Sequence, residues 1–277
     1  MMSLPAHLMA LWQAETIKLL SRTSARVGLV VATLIGLFIP VILFWLSSSE
    51  MQMNGTEVAE TLAADAPKAL LWSLYVRNFF ILRAFVIMLG ALSVAGEYRA
   101  KTLREDFLRP VPRWSILFAK WTSLCTWIVL SLGITWLISS VLGLILFGTE
   151  GEWLDPAKGY LVTGLCDIGF AMLVLAIAVA IRSVAASIIG VFLFLVFDTF
   201  LGWGLTLASW VGSATELPWA LEFAVQARPW LPSSAFGVWY SFAGGDPWVW
   251  QNFAALGVVS GAAAVLAVVV FEWMDVP

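Results

Sequence analysis

The sequence predicts an all-α, polytopic membrane protein. It has six transmembrane helices, an N-terminal amphipathic helix lying in the inner interface, and a short cytoplasmic helix between the second and third spans. Three observations carry this. Of 277 residues, 61% are hydrophobic and 12% charged, about half the charged fraction of a soluble domain. The charges bracket six apolar runs, each near the length of about 20 residues that a hydrocarbon core requires. Basic residues also gather in alternate loops, as they do on the cytoplasmic side of a membrane. The whole of 1–277 therefore reads as one membrane domain.

Residues 6–24 come first. Leu8, Met9, Trp12, Thr16, Leu19 and Leu20 share one helical face, and Glu15, Lys18 and Arg22 another. An apolar stripe beside basic residues suits a helix lying in the interface; an ordinary solvated lead-in is the plainer reading. Span one, about 27–46, is longer than a signal core and is expected to be retained. Span two, about 69–96, carries Arg77 and Arg83. A charged segment, 97–113, follows it. Span three covers about 116–147. Span four, about 159–181, is interrupted by Asp167, and span five, about 184–210, by Asp198. Pro218, Pro229, Pro232 and Gly244-Gly245 then break 211–247 too often for one continuous helix. Span six, about 248–271, holds Gly257 and Gly261 in a G-x-x-x-G spacing. That spacing permits close helix approach, within the chain or between two copies.

Charge sets the orientation. Lys18, Arg22 and Arg26 precede span one. Arg99, Lys101, Arg104, Arg109, Arg113 and Lys120 follow span two, and Arg182 follows span four. The opposite loops hold Lys68, Lys158 and Arg228 among many acids. Both termini are thus expected in the cytoplasm, and the chain in a bacterial-type inner membrane in contact with its lipids. Most tryptophans, Trp45, Trp153, Trp203, Trp219, Trp230 and Trp248 among them, fall at or beyond the outer boundary. An aromatic belt explains them, since indole satisfies both its apolar face and its N–H there; lining of an outer cleft is the sharper reading. With one histidine, His7, there is little to build metal or histidine catalysis on, and no catalytic or metal residue is expected. Cys125 and Cys166 lie in apolar runs at different depths and read as small buried hydrophobes. No feature points to nucleic acid.

Residues 97–109 suit a helix. Glu97–Lys101 and Glu105–Arg109 are favourable i,i+4 pairs. Leu103 and Phe107 offer an apolar edge one turn apart, and Pro110 and Pro112 end the helix. A short helix joined rigidly to two spans transmits displacement, because packed elements move as bodies. A loop that merely fixes topology is the plainer alternative.

The spacing of Glu97, Thr102, Leu103, Phe107, Leu108, Pro110, Val111, Arg113 and Lys120 resembles the first cytoplasmic segment of type-2 ABC exporter permeases. The amphipathic entry helix, the long last outer loop and the ending Phe271-Glu272-Trp273-Met274-Asp275 are similar too, so the likeness covers nearly the whole chain. Lys101 stands where the family usually has Gly, and Pro112 where it often has Ser. The basic pair common before the final Asp is missing. The resemblance implies that Glu97, Thr102, Leu103, Arg104, Phe107, Pro110 and Arg113 couple this chain to a separate ATPase subunit. The N-terminal helix and the turn at Arg182 and Ser183 would assist. It further implies two permease copies, identical or related, and two ATPase copies. ATP and Mg would be bound by the ATPase, with no cofactor in this chain. The chain itself carries no G-x-x-x-x-G-K-[ST] phosphate loop. The work done would be substrate export, or mechanical signalling to an extracytoplasmic protein.

Arg83, Asp167 and Asp198 lie at similar depth, about 21–23 Å from the inner boundary at 1.5 Å per residue. Charges there are usually paired or face a wet cavity. Arg83 is expected to pair with Asp198 or Asp167, and Arg77 to join the cluster or reach to the outer surface. The cluster would be a static bridge or part of a gate. A rival reading is a membrane-embedded enzyme using Asp167 and Asp198. That needs two carboxylates sharing a proton, and a nearby Arg83 favours ion pairing instead.

Overall fold

The computed structural model describes residues 4–48, 65–79, 81–108, 111–215, 217–238 and 248–274, and the regular structure among them is helical. Helix α1 (Leu4–Ser21) turns at Arg22 into α2 (Thr23–Ser48). Helix α3 (Ala66–Asn78) is capped by Asp65, whose side chain accepts from the Lys68 N–H at 2.7 Å, with Pro67 in the first turn. Helix α4 (Ile81–Ala91) widens into a π-turn (Leu92–Gly96) and a last turn, Glu97–Arg99. Then follow α5 (Leu103–Phe107), α6 (Arg113–Phe147), α7 (Leu154–Ile181), α8 (Val184–Ala214), α9 (Pro218–Ala227), a 3₁₀ turn (Arg228–Trp230), α10 (Pro232–Phe236) and α11 (Val249–Glu272). Six stretches are long and apolar enough to cross a membrane: Thr23–Ser47, Ile81–Arg99, α6, α7, α8 and α11. The fold is the expected all-α polytopic bundle.

One expected span is divided. Residues 69–96 do not form a continuous helix; the chain leaves helical geometry at Phe79, with ψ 66°, and restarts at Ile81. On an unbroken helix Arg77 and Arg83, six residues apart, would point about 120° apart. The break lets both face α7.

Helices α2 and α6 form a close seam. Ala25, Gly28, Ala32 and Gly36 line α2 at spacings of three and four residues. Trp127, fully buried, lies over Gly28, where a Cβ would fall 2.5 Å from the indole. Its Nε1–H donates to the Ala25 carbonyl at 3.0 Å. The hydroxyls of Thr135 and Ser139 donate to the carbonyls of Ala32 and Gly36, each at 3.2 Å. Small residues allow the approach, and polar hydrogens bind it where lipid offers no water. Helix α7 is the most enclosed span and packs along α11.

Candidate functional site

At one end of the bundle the charged segment is knotted to the N-terminal helix. The π-turn, an extra-residue widening of the helix, delivers Glu97 to the interior, where it is 4% exposed. Its carboxylate accepts from Lys120 Nζ on α6 at 2.5 Å and pairs with Lys18 Nζ on α1 at 2.7 Å and Arg22 at 3.4 Å. Lys120, fully buried, also donates to Glu15 at 2.8 Å. Glu15, Glu97 and Asp106 each place a carboxylate oxygen within 4.8 Å of the others. The Lys120 ammonium is the cation that Glu15 and Glu97 share.

Burial pushes the Glu15 carboxyl up, but Lys120 and then Lys18 outweigh it and hold it below its ordinary value. Burial pulls Lys18 down, yet Glu97, Glu15 and Asp106 hold it above its ordinary value. For Asp106, burial wins: with the neighbouring Glu15 and Glu97 charges, it keeps the carboxyl up despite Lys120 and Lys18.

Beyond Glu97 the segment is not one helix. Lys101 adopts φ 60°, the left-handed region that costs an L-residue about 1–2 kcal/mol. This turn separates Glu97–Arg99 from α5. The expected Glu97–Lys101 helical pair is replaced by the interior partners of Glu97. Lys101 stands at the position where the resemblance expects Gly, and the backbone gives the reason, since Gly takes positive φ freely. Thr102 caps the turn, its N–H and hydroxyl both donating to the Glu97 carbonyl, at 3.1 and 3.4 Å.

The far side of the segment is clasped by the end of α11. Phe107 meets Phe271 edge-on, with centroids 5.2 Å apart, and the Arg113 guanidinium lies 4.6 Å from the Phe107 ring. Arg113 donates to the carbonyls of Glu272 at 2.9 Å and Met274 at 3.1 Å, and the Trp114 N–H donates to the Glu272 carboxylate at 3.0 Å. Leu103 is fully buried, while Arg99, Lys101, Thr102, Glu105 and Leu108 are exposed. Pro110 and the Arg104 side chain lie outside the described residues. Arg182, also at φ 60°, ends α7 with its guanidinium 5.7 Å from the Tyr98 ring.

Inside the bundle, Asp167 on α7 takes both arginines. Arg77 Nη1 donates to it at 2.8 Å and to Asn78 at 2.9 Å. Arg83 Nε donates to it at 3.3 Å, and Arg83 Nη2 to the Phe236 carbonyl at 2.5 Å. Asn78 donates to Thr163 at 3.1 Å. The cluster thus joins α3, α4, α7 and α10. Asp198 stays outside it. Of the two partners expected for Arg83, Asp167 is the one used, and Arg77 joins rather than reaching outward. With Asp167 committed to two guanidinium groups, it is no partner for a shared-proton pair with Asp198.

Among the described residues Gly257 and Gly261 make no close helix contact: a Cβ on either meets nothing within 4 Å. Close approach is made elsewhere, at Gly169 against Ser260 of α11 and along Gly28, Ala32 and Gly36, a small-residue stripe hidden in an apolar run. In the sequence Glu15 stands out only on the polar face of the N-terminal helix, and Lys120 only as a topology-setting charge and the last residue of the resemblance; nothing there brings the two together. Their spacing on separate helices leaves no local signature, although both are charges next to apolar runs.

Comparison with known proteins adds a family. Residues 11–200 match the family model described as ABC-2 family transporter protein. A relative from Bacillus subtilis (strain 168), "Uncharacterized protein YhcI", is 40% identical over 76 residues, 27% of this chain. The matched stretch spans 24% of that relative's length.

Proposed function

The chain belongs to the ABC-2 family of transporter proteins, and from that premise we propose how it works as a membrane-spanning permease subunit of an ABC transporter. Residues 97–113 receive the stroke of a separate ATPase subunit, which binds the ATP and Mg. The stroke passes into the spans and drives export of a substrate. Both termini face the cytoplasm of a cell whose inner membrane holds the chain, and a second permease copy completes the pathway.

One observation carries this reading. The segment is anchored at both ends and presents a free surface between them. Glu97 fixes its start to α1 and α6, Arg113 and Phe107 fix its end to α11, and Arg99, Lys101, Glu105 and Leu108 face outward. A push on that surface cannot be absorbed locally, because packed elements shift as bodies. The Arg77–Asp167–Arg83 cluster would keep α3, α4 and α7 moving together.

The test is capture from native membranes with the tagged full chain. An ABC ATPase is the expected companion, and Leu108→Asp or Lys101→Glu, both on the exposed surface, should release it while leaving the chain folded. Retention of the ATPase by both variants would move the docking surface elsewhere. Full transport by the purified chain alone would overturn the reading.

A further inference from the structure

Asp198 on α8 is 2% exposed, and among the described residues neither carboxylate oxygen is hydrogen-bonded. Ser233 is its polar neighbour, at a geometry short of a hydrogen bond. A buried carboxylate without a cation is costly, and such groups in membranes face partners or wet cavities. A cavity is at hand. Thr199, the next residue, and Ser233 both line a space of about 590 Å³, within the range of small-molecule sites. Gly202, one turn beyond Asp198, lines it too, and it extends along α8 to Thr206. Asp198 is not itself among the lining residues; it adjoins them along α8, one residue before Thr199 and one turn before Gly202. Trp203 and Trp248 form apolar wall, and Arg228 stands at the exposed rim.

We propose that this cavity binds an amphiphile bearing a single amine, with its ammonium on Asp198 and its apolar part against Trp203 and Trp248. The chemistry selects that class. One carboxylate beside hydroxyl and indole groups suits an ammonium, which also gains from aromatic faces. The lining adds no second carboxylate to Asp198, and divalent sites of this kind are built on carboxylates. Arg228 at the mouth disfavours a second positive charge and suits an anionic group there, so a zwitterion is admitted. The amine comes either from a soluble amphiphile or from a lipid headgroup. The proposal rests on the permease reading and names its substrate class.

The full chain in phosphatidylglycerol nanodiscs is titrated with dodecylamine, read by tryptophan fluorescence, with dodecyl phosphate as the anionic control. Saturable binding of the amine alone is expected, weakened at least tenfold by Asp198→Asn and kept within a few-fold by Asp198→Glu. Trp203→Ala should weaken it by about threefold to tenfold, the scale of losing roughly one to two methylenes of apolar contact; this variant also serves if Asp198→Asn does not fold. Adding phosphatidylethanolamine to the discs separates the sources: competition with dodecylamine assigns the site to a lipid headgroup, and none assigns it to a soluble amine. Equal binding by wild type and Asp198→Asn, or equal binding of amine and phosphate, overturns the proposal. So does loss of a dimer in Asp198→Asn, which would give the carboxylate a cation from a second copy. ATPase capture on the same preparations keeps the two readings apart: capture without amine binding removes only this one.

Discussion

Lys120 Nζ lies 2.5 Å from Glu97, and both side chains are almost wholly removed from solvent. The pair joins the start of the charged segment to the helix that follows it, so the segment closes on itself. Breaking a buried pair leaves an uncompensated charge, which costs about 3–5 kcal/mol.

Lys120→Met should therefore destabilise the chain by that order, with Glu15 and Glu97 left facing each other. Glu97→Gln should cost less, because Lys120 keeps Glu15. The double variant should recover part of the loss, a coupling measurable by thermal unfolding in detergent across the four-member cycle.

The same knot predicts a pH response at Asp106. Its carboxyl is held up by burial and by Glu15 and Glu97, against the pull of Lys120 and Lys18. A raised folded value means that ionised Asp106 opposes folding at neutral pH, and the opposition fades as pH falls through that value. Asp106→Asn should raise the unfolding temperature at pH 7, and the gain should shrink on acidification. Glu15 has the opposite sign. Its lowered value contributes stability above the unfolded carboxyl value, lost as pH falls through the folded one. Glu15→Gln should therefore lose stability at pH 7 and converge with wild type in acid.

Lys101→Gly should stabilise by about 1 kcal/mol, since glycine removes the left-handed penalty and the Lys101 side chain is exposed. Lys101→Ala, which keeps the penalty, should change little. Comparing both by thermal unfolding isolates the backbone effect.

Gly28→Leu should cost several kcal/mol by driving α2 from Trp127. Gly261→Leu should leave the unfolding temperature of the isolated chain almost unchanged, because a side chain there meets open space. Equal damage from both would mean that the α2–α6 seam is looser than described.

The six spans were legible because charges bracket them, and lipid permits no other use for runs of that length. The break after Asn78 was not. Both halves are apolar, and what replaces the helical pattern is a contact from Asn78 to Thr163 on a distant helix. Counting residues placed Arg83 level with both Asp167 and Asp198 but had no means to choose between them, since depth carries no rotation. The four-residue spacing to Lys101 suggests a helical ion pair for Glu97. Its true partners come from α1 and α6, and long-range pairing leaves no spacing to read. Likewise Gly257 and Gly261 match a known motif, whereas Gly28 has its purpose in the shape of Trp127, and Ala32 and Gly36 in the approach of Thr135 and Ser139.

The grip of Arg113 on the carbonyls of Glu272 and Met274 has a practical corollary for anyone handling this polypeptide. The stretch 272–274 is a strap, and any alteration there is felt by the charged segment it fastens. Purification handles are best kept away from this stretch.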